Sequence, residues 1–180
     1  MKLITHRIVL WATIIFVLLM IPAVAGMYSK EVQWDLTDFI LMGSALSILG
    51  LLYEVIARSA TPYYRAAFVV GLLGLFLLFW VNAAVGIIGD EGQDANLLYG
   101  AVFVTGLLGS LYTRLNSRGM SRTMIAMGIV QLLTPVVALM VWPPPLISWS
   151  PGVFGVFVVS AFFSLLFFLS AYLFHRAGRS

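Results

Sequence analysis

Long uncharged apolar runs alternate with short polar connections along the whole chain. Each run is close to the roughly 20 residues that an α-helix needs to cross about 30 Å of hydrocarbon. The pattern therefore predicts an all-α fold, a polytopic membrane helical bundle that forms a single membrane domain over residues 1–180. The six predicted transmembrane helices lie at residues 8–27, 36–56, 66–88, 95–112, 123–142 and 153–174.

Charged residues divide between the two sides of this predicted bundle. With six spans, nine of the ten lysines and arginines fall on the side of the termini, and only Lys30 falls on the other. Six of the seven acids lie on that opposite side, and only Glu54 joins the basic residues. Because cytoplasmic loops carry the excess of Lys and Arg, both termini are predicted to be cytoplasmic. The net charge of +3 follows from this topology, so we expect no nucleic-acid partner.

Composition excludes most other classes of protein. Hydrophobic residues make up 62% of the chain and charged residues 9%, which is far from the composition of soluble domains. Cysteine is absent, so the sequence offers no disulfide, no reactive thiol and no thiolate metal site. No catalytic or phosphate-binding motif occurs in the sequence either. We therefore expect no cofactor, and an enzyme is the least supported class.

The first apolar run has a second interpretation as a secretory signal. It follows a basic start that contains Lys2 and Arg7, and Ala23-Val24-Ala25 has the form of a cleavage site. A signal peptide has an apolar core of only about 7–15 residues, whereas this run is long enough to span the bilayer. The length favours a retained helix, and a cleaved signal is the alternative.

Two helix pairs share a weak similarity at an offset of 59 residues. Asp35 aligns with Asp94, Leu49-Gly50 with Leu108-Gly109, and Leu52-Tyr53 with Leu111-Tyr112. The alignment suggests a parallel repeat of residues 35–89 and 94–148, and chance coincidence of leucine and glycine is the alternative. Glycines three residues apart, at 71/74, 86/89, 106/109 and 152/155, predict close contacts between helices.

Two predicted spans carry polar residues that are candidates for a function. Asn82 lies in the third span, about seven residues or 10 Å from its outer end. Gln131, Thr134 and Pro135 lie near the middle of the fifth span, where the proline leaves the carbonyl of Gln131 without its usual donor. Transporter sites use such interrupted helices, so these residues are candidates for contact with a small solute. The alternative is structural: Asn82 bonds a neighbouring helix, and Thr134 or a neighbour satisfies the kink.

Five carboxylates lie in two outer connections, Asp35 and Asp38 before the second span, and Asp90, Glu91 and Asp94 before the fourth. Hard cations such as Ca²⁺ and Mg²⁺ bind several oxygen ligands, so these acids form a candidate cation site. Their spacing matches no EF-hand loop. The alternative is that Asp35 and Asp94 cap the second and fourth helices and that the other acids are solvated.

Several segments resemble a known family. They are Lys30-Glu-Val-Gln-Trp-Asp-Leu-Thr-Asp-Phe39, Leu52-Tyr53-Glu54, Trp80-Val-Asn-Ala-Ala-Val-Gly-Ile-Ile-Gly-Asp-Glu91 and Asn96-Leu-Leu-Tyr99. Across this middle part of the chain, the sequence is similar to a family of small bacterial multi-pass membrane proteins without an established activity. The resemblance implies a bacterial, inner-membrane location and no particular reaction.

Two classes of function fit these features. The first is a structural or accessory membrane protein that works through helix contacts, and it predicts that Asn82 and Gln131 bond neighbouring helices. The second is a small oligomeric transporter or channel for a solute or ion, and it predicts that both amides face a cavity. The expected partners are the lipid bilayer, a second copy of the chain and another membrane protein.

Overall fold

The computed structural model describes residues 2–28, 34–57 and 61–179. Every regular element in these ranges is helical, which confirms the predicted all-α fold. The α-helices are α1 (Lys2–Tyr28), α2 (Leu36–Leu52), α3 (Pro62–Ala84), α4 (Gly100–Thr113), α5 (Ser117–Val141) and α6 (Val153–Ala177). A π-helical turn, Tyr53–Ala57, extends α2, and a 3₁₀ helix, Asp94–Tyr99, precedes α4. Within the described residues, six helical segments are long and apolar enough to cross a membrane, as the hydrophobic pattern predicts.

The chain divides into two compact units, Met1–Arg58 and Ser59–Ser180. We call the described part of the first unit the hairpin, because it consists of α1 and α2 with the π-helical turn. We call the described part of the second unit the bundle, because it contains α3 to α6. The repeat suggested for residues 35–89 and 94–148 would take α2 from the hairpin and α3 from the bundle as its first half, and it stays a prediction.

The two helices of the hairpin meet through glycine. A Cβ atom at Gly50 of α2 would lie 2.9 Å from the Trp11 ring of α1, and one at Gly43 would lie 3.5 Å from Leu19. Without a side chain at these positions, the backbone of α2 comes close to the side chains of α1. Small residues serve this purpose in membrane helices, where apolar surface alone does not drive helices together.

The helices of the bundle meet along heptad-spaced rows of buried residues. In α5 the row is Met120, Met124, Met127, Gln131, Thr134 and Ala138, and in α6 it is Val156, Ser160, Phe163, Phe167, Ser170 and Phe174. In α3 the row is Tyr64, Ala67, Gly71, Gly74 and Leu78. All three rows alternate intervals of three and four residues, which is the spacing of knobs-into-holes packing. The buried rows of the bundle therefore have the spacing that membrane helices commonly use when they pack together.

The pair of α5 and α6 lies at the centre of the bundle, because α6 also contacts α3 and α5 also contacts α4. Glycine again permits the close approach. A Cβ atom at Gly74 of α3 would lie 3.1 Å from Phe167 of α6, and one at Gly109 of α4 would lie 2.5 Å from Thr123 of α5. The glycine pairs 71/74 and 106/109 are therefore confirmed as helix contacts.

The other two glycine pairs are not helix contacts, and that prediction was wrong. Gly86 and Gly89 lie in the connection after α3 with φ of +72° and +77°, a conformation that suits glycine. Gly152 has a φ of +106° ahead of α6, and Gly155 lies against the ring of Pro151. The left-handed turn at Gly86 also explains why α3 ends at residue 84 rather than at the predicted residue 88.

Candidate functional site

Buried hydroxyl groups tie α5 to α6. Ser121 in α5 donates to the carbonyl of Ala171 in α6 at 2.8 Å. Two turns further along, Ser164 in α6 donates to the carbonyl of Gly128 in α5 at 3.0 Å. A hydroxyl without a partner is costly in hydrocarbon, so these bonds satisfy the serines and also set the register of the two helices.

Two more hydroxyl bonds connect α6 to its other neighbours. Ser170 donates to the carbonyl of Ala67 in α3 at 2.7 Å. The hydroxyl of Ser160 lies 2.8 Å from that of Tyr99, the last residue of the 3₁₀ helix, and both side chains are fully buried. These serines cannot be recognised from the sequence, because nothing in their spacing separates them from serines that bond within their own turn.

The register of α5 and α6 places Gln131 at the level of the Ser160–Tyr99 pair. With Gly128 opposite Ser164, a step of one turn along each helix brings Gln131 level with Ser160. Gln131 is 0% exposed, and neither amide atom, Nε2 or Oε1, has a hydrogen-bond partner in the described part of the chain. Leaving a buried amide unpaired costs about 1–3 kcal/mol on the scale of protein mutations. Gln131 is therefore the sequence candidate with the clearest capacity to bind something polar.

Thr134 and Pro135 lie one turn after Gln131, but neither gives its side-chain amide a hydrogen-bond partner. α5 continues through Pro135 to Val141, so the helix is not interrupted there. The hydroxyl of Thr134 donates to the carbonyl of Val130 at 2.9 Å. Of the two groups expected to satisfy the kink, Thr134 or a neighbour, Thr134 does not bond the Gln131 carbonyl, because its one hydroxyl proton is already used.

Asn82 lies in the last turn of α3, since the helix ends at Ala84, and not about 10 Å inside a span. Its Nδ2 donates to the backbone carbonyl of Asn96 at 3.4 Å. Its Oδ1 is buried and has no partner among the described residues. Asn82 therefore joins the end of α3 to the 3₁₀ helix.

Asn96 organises the connection between α3 and the 3₁₀ helix. Its Oδ1 accepts from the N–H groups of Ile87 and Ile88 at 3.1 and 2.9 Å, and its Nδ2 donates to the carbonyls of Ile88 and Asp90 at 3.1 and 2.7 Å. One buried amide thus satisfies backbone groups that no helix or strand pairs. Asn96 does not stand out in the sequence, because an asparagine after an acidic turn also has the pattern of a helix start.

The connection between α5 and α6 is hydrogen-bonded to the connection between α3 and the 3₁₀ helix. The N–H of Gly89 donates to the carbonyl of Ser150 at 3.1 Å, and a Cβ atom on Gly89 would lie 2.7 Å from the carbonyl oxygen of Ser148. Trp149 is buried beside it and donates from Nε1 to the carbonyl of Trp142 at 2.8 Å. One end of the bundle is therefore closed by two connections that share a backbone hydrogen bond.

The acids at the start of α2 act as a helix cap. Asp38 donates its backbone N–H to the Asp35 carboxylate at 3.0 Å, and Asp35 donates its own to the Asp38 carboxylate at 2.9 Å. This reciprocal capping box confirms the prediction that Asp35 caps α2. Among the described residues, no group of three or more His, Asp or Glu side chains is placed to hold a metal ion.

Among the acids that follow α3, Asp90 makes a hydrogen bond within the same connection. Asp90 accepts the backbone N–H of Gly92 at 3.1 Å, which is an Asx turn. Glu91 and Asp94 are exposed. The prediction that Asp94 caps the fourth span was wrong, because the residue before the 3₁₀ helix is Gln93 and its side chain makes no capping bond.

An ion pair closes one end of the hairpin. Arg7 of α1 donates from Nη1 to Oε2 of Glu54 at 2.7 Å, and Trp11 donates from Nε1 to Oε1 of the same carboxylate at 3.1 Å. Glu54 lies in the π-helical turn, a feature that often occurs at functional sites. The i, i+4 spacing of Glu54 and Arg58 in the sequence also predicts an ion pair, and Arg58 lies outside the described residues. Arg7 was missed because 47 residues separate it from Glu54.

The helices and their contacts define a class, a multi-pass membrane protein whose chain forms a two-helix unit and a four-helix unit. No protein-family model, no curated protein and no solved structure matches the chain. The resemblance to small bacterial membrane proteins therefore stays a prediction, and a function has to come from the residues of this chain.

Proposed function

We propose that the chain is a structural or accessory protein of a membrane, which acts through helix contacts with itself or with another membrane protein. One observation supports this role most strongly. The buried serines of the bundle donate to backbone carbonyls of neighbouring helices. Hydroxyl groups used in this way hold helices together, whereas those of a transport path would face a solute.

The hairpin supplies the surface for such contacts. In the most apolar window of α1 no residue is buried, and in that of α2 the buried share is 11%. The corresponding shares in the four bundle spans are 28% to 39%. Apolar surface that the two helices of the hairpin do not bury against each other is available to lipid and to other helices.

Cross-linking in native membranes tests this role, because the chain has no cysteine of its own. Val17→Cys in α1 and Leu133→Cys in α5 form a matched pair, since the natural side chains are 55% and 51% exposed. We expect cross-linked dimers or hetero-complexes of defined mass from Val17→Cys and monomer from Leu133→Cys. Equal products from both positions, or none from either, would contradict the proposal.

The proposed location is a bacterial inner membrane with both termini in the cytoplasm. The segregation of basic residues to one set of connections supports this topology. A membrane-impermeant maleimide is expected to label Gly92→Cys in intact cells and Ser117→Cys only after permeabilisation. The reverse labelling would place the termini outside.

A small oligomeric transporter or channel is the second candidate, and the unpartnered amide of Gln131 favours it. The test is thermal unfolding of the purified chain and of Gln131→Met with a panel of polar solutes and ions. A transporter predicts a solute that raises Tm with concentration in the natural chain but not in Gln131→Met. An accessory protein predicts a higher Tm in Gln131→Met and no solute effect, with Leu132→Met as the control.

A further inference from the structure

The end of the bundle where α5 begins and α6 ends carries a group of arginines. The bond from Ser121 of α5 to the Ala171 carbonyl of α6 puts the first turns of α5 at the level of the last turns of α6. The two ends also touch, because a Cβ atom on Gly178 would lie 3.2 Å from Cγ of Arg118. Four exposed arginines lie here, two on each helix, and we call them the arginine surface: Arg118, Arg122, Arg176 and Arg179.

The positive charge of the arginine surface is not balanced within the bundle. Tyr64, near the start of α3, donates to the carbonyl of Leu115, so α3 begins at this same end. The three acids of the bundle follow the other end of α3, about 33 Å away along a helix of 23 residues. In the part of the chain that the structure describes, no carboxylate forms an ion pair with any of the four arginines. The surface therefore presents guanidinium groups that are open to an external anion.

The two arginines of α5 lie at the end of their helix where a positive charge is unfavourable. Arg118 and Arg122 are the second and sixth residues of α5, and its first turn contains no acid. The N-terminus of a helix carries a partial positive charge, so acids stabilise it and arginines do not. Arg176, by contrast, lies in the last turn of α6, where a cation is favourable. An anion bound between the two helix ends would relieve the repulsion at the start of α5.

The arginine surface lies at the level of lipid headgroups. Arg122 is the sixth residue of the candidate span Ser117–Val141, and Arg176 is the last but one of Val153–Ala177. Cζ of Arg176 lies 5.9 Å from the centroid of the half-exposed Tyr172 ring, and tyrosine is typical of the membrane interface. Because these arginines belong to the spans themselves, the phosphates of the bilayer are at their level. A nucleic acid or an acidic protein would lie further out, in water.

We propose that the arginine surface binds an anionic phospholipid. The guanidinium groups bind the phosphate, for which arginine has paired N–H donors, and basic pockets between membrane helices bind such headgroups. The acyl chains lie along the apolar residues that continue the same two helix faces toward the middle of the membrane. These residues are exposed, and they are Ile125 and Ile129 in α5 and Leu165 and Leu169 in α6. The proposal stands independently of the accessory role.

Lipid retention tests the proposal on the full chain. The protein is reconstituted in vesicles with equal amounts of phosphatidylglycerol and phosphatidylethanolamine and released in mild detergent, and bound lipid is counted by native mass spectrometry. We expect phosphatidylglycerol to be retained in preference. Arg118→Gln/Arg122→Gln is expected to lower its retention about 25-fold, because each arginine near an anionic surface contributes about fivefold. Arg65→Gln/Arg114→Gln is the matched control, since it removes two exposed arginines from α3 and the end of α4, and it is expected to retain the lipid.

Arg118→Lys/Arg122→Lys keeps both charges and is expected to keep the preference for phosphatidylglycerol, which separates loss of charge from damage to the fold. Equal losses in the two glutamine variants would overturn the proposal, because positive charge anywhere at this end would then be sufficient. Equal retention of the two phospholipids by the natural chain would also overturn it. So would displacement of phosphatidylglycerol by an equimolar polyglutamate peptide or oligonucleotide, because a soluble polyanion would then be the better occupant.

Discussion

The hairpin and the bundle both use glycine contacts, but they use polar side chains in different ways. In the bundle, hydroxyl bonds recur along α6, and three of them connect two helices through a backbone carbonyl. In the hairpin, the polar contact is concentrated at one end, where Glu54 accepts from Arg7 and Trp11. Since apolar surface gives no net attraction between helices in lipid, these polar and small-residue contacts determine how firmly each unit is held. We therefore expect the bundle to keep its stability when single lipid-facing residues are substituted. We expect the two helices of the hairpin to be held together less firmly along most of their length.

The largest expected effect is at Asn96 in the bundle. Asn96→Ala leaves the N–H groups of Ile87 and Ile88 without acceptors, and we expect the free energy of unfolding to fall by about 3 kcal/mol. Denaturant unfolding in detergent micelles measures the change. The control is Asn116→Ala, which removes one exposed cap bond to Arg118 and is expected to cost about 1 kcal/mol. Equal losses of unfolding free energy in the two variants would show that Asn96 does not organise the connection between α3 and the 3₁₀ helix.

The next effect separates crowded from open glycines within one helix. Gly109→Ala in α4 places a methyl group against the buried, β-branched Thr123, so we expect a loss of about 2 kcal/mol. Gly100→Ala, with no atom within 4 Å of the new methyl, is expected to gain up to about 1 kcal/mol. In the hairpin, Gly43→Ala meets only an ordinary contact and should be close to neutral. Thermal unfolding measures the three stabilities, and we expect Gly109→Ala to be the least stable. Any other order would contradict the packing of α4 on α5.

A smaller effect is expected at the charged end of the hairpin. Arg7→Gln removes a partly exposed ion pair, which is worth about 1 kcal/mol at most. We expect a broader distance distribution between spin labels on Val17→Cys and Ile48→Cys, one in each helix of the hairpin. Labels on Leu108→Cys and Leu133→Cys of the bundle serve as the control and should show no change. A broader distance distribution for the bundle labels alone would contradict this prediction.

The smallest effect is at a single hydroxyl. Ser170→Ala removes the bond from α6 to the Ala67 carbonyl of α3, and such bonds in membrane proteins average about 0.6 kcal/mol. Ser47→Ala in the hairpin removes a bond to the Gly43 carbonyl in its own helix, and no measurable loss is expected. Equal stability changes by thermal unfolding would remove the distinction between bonds that join helices and bonds within one helix.

The third span shows where prediction from the pattern stopped. Val85, Ile87 and Ile88 are as apolar as the helix before them, so the pattern extends the span to residue 88. In the structure α3 ends at Ala84, and the two isoleucines are buried in a connection whose backbone bonds Asn96 supplies. Hydrophobicity indicates that a residue is buried, but it does not indicate which group accepts the hydrogen bond from its backbone N–H.

The candidate sites were predicted less completely than the fold. Gln131 was chosen from the sequence because an amide in an apolar run is conspicuous. The serines of α6 and the Arg7–Glu54 pair were not chosen, because their partners lie 36 to 103 residues away along the chain. A polar residue can therefore be noticed from the sequence, but its partner cannot.

The sequence by itself determined the helical class, the six apolar segments and the capping box at Asp35, since each depends on residues that are neighbours in the chain. Only the tertiary structure decided which glycines are helix contacts and which hydroxyls join helices. The physical reason is one of range. The length of an apolar run and the geometry of a cap are local quantities, whereas a hydrogen bond between helices depends on their register in three dimensions.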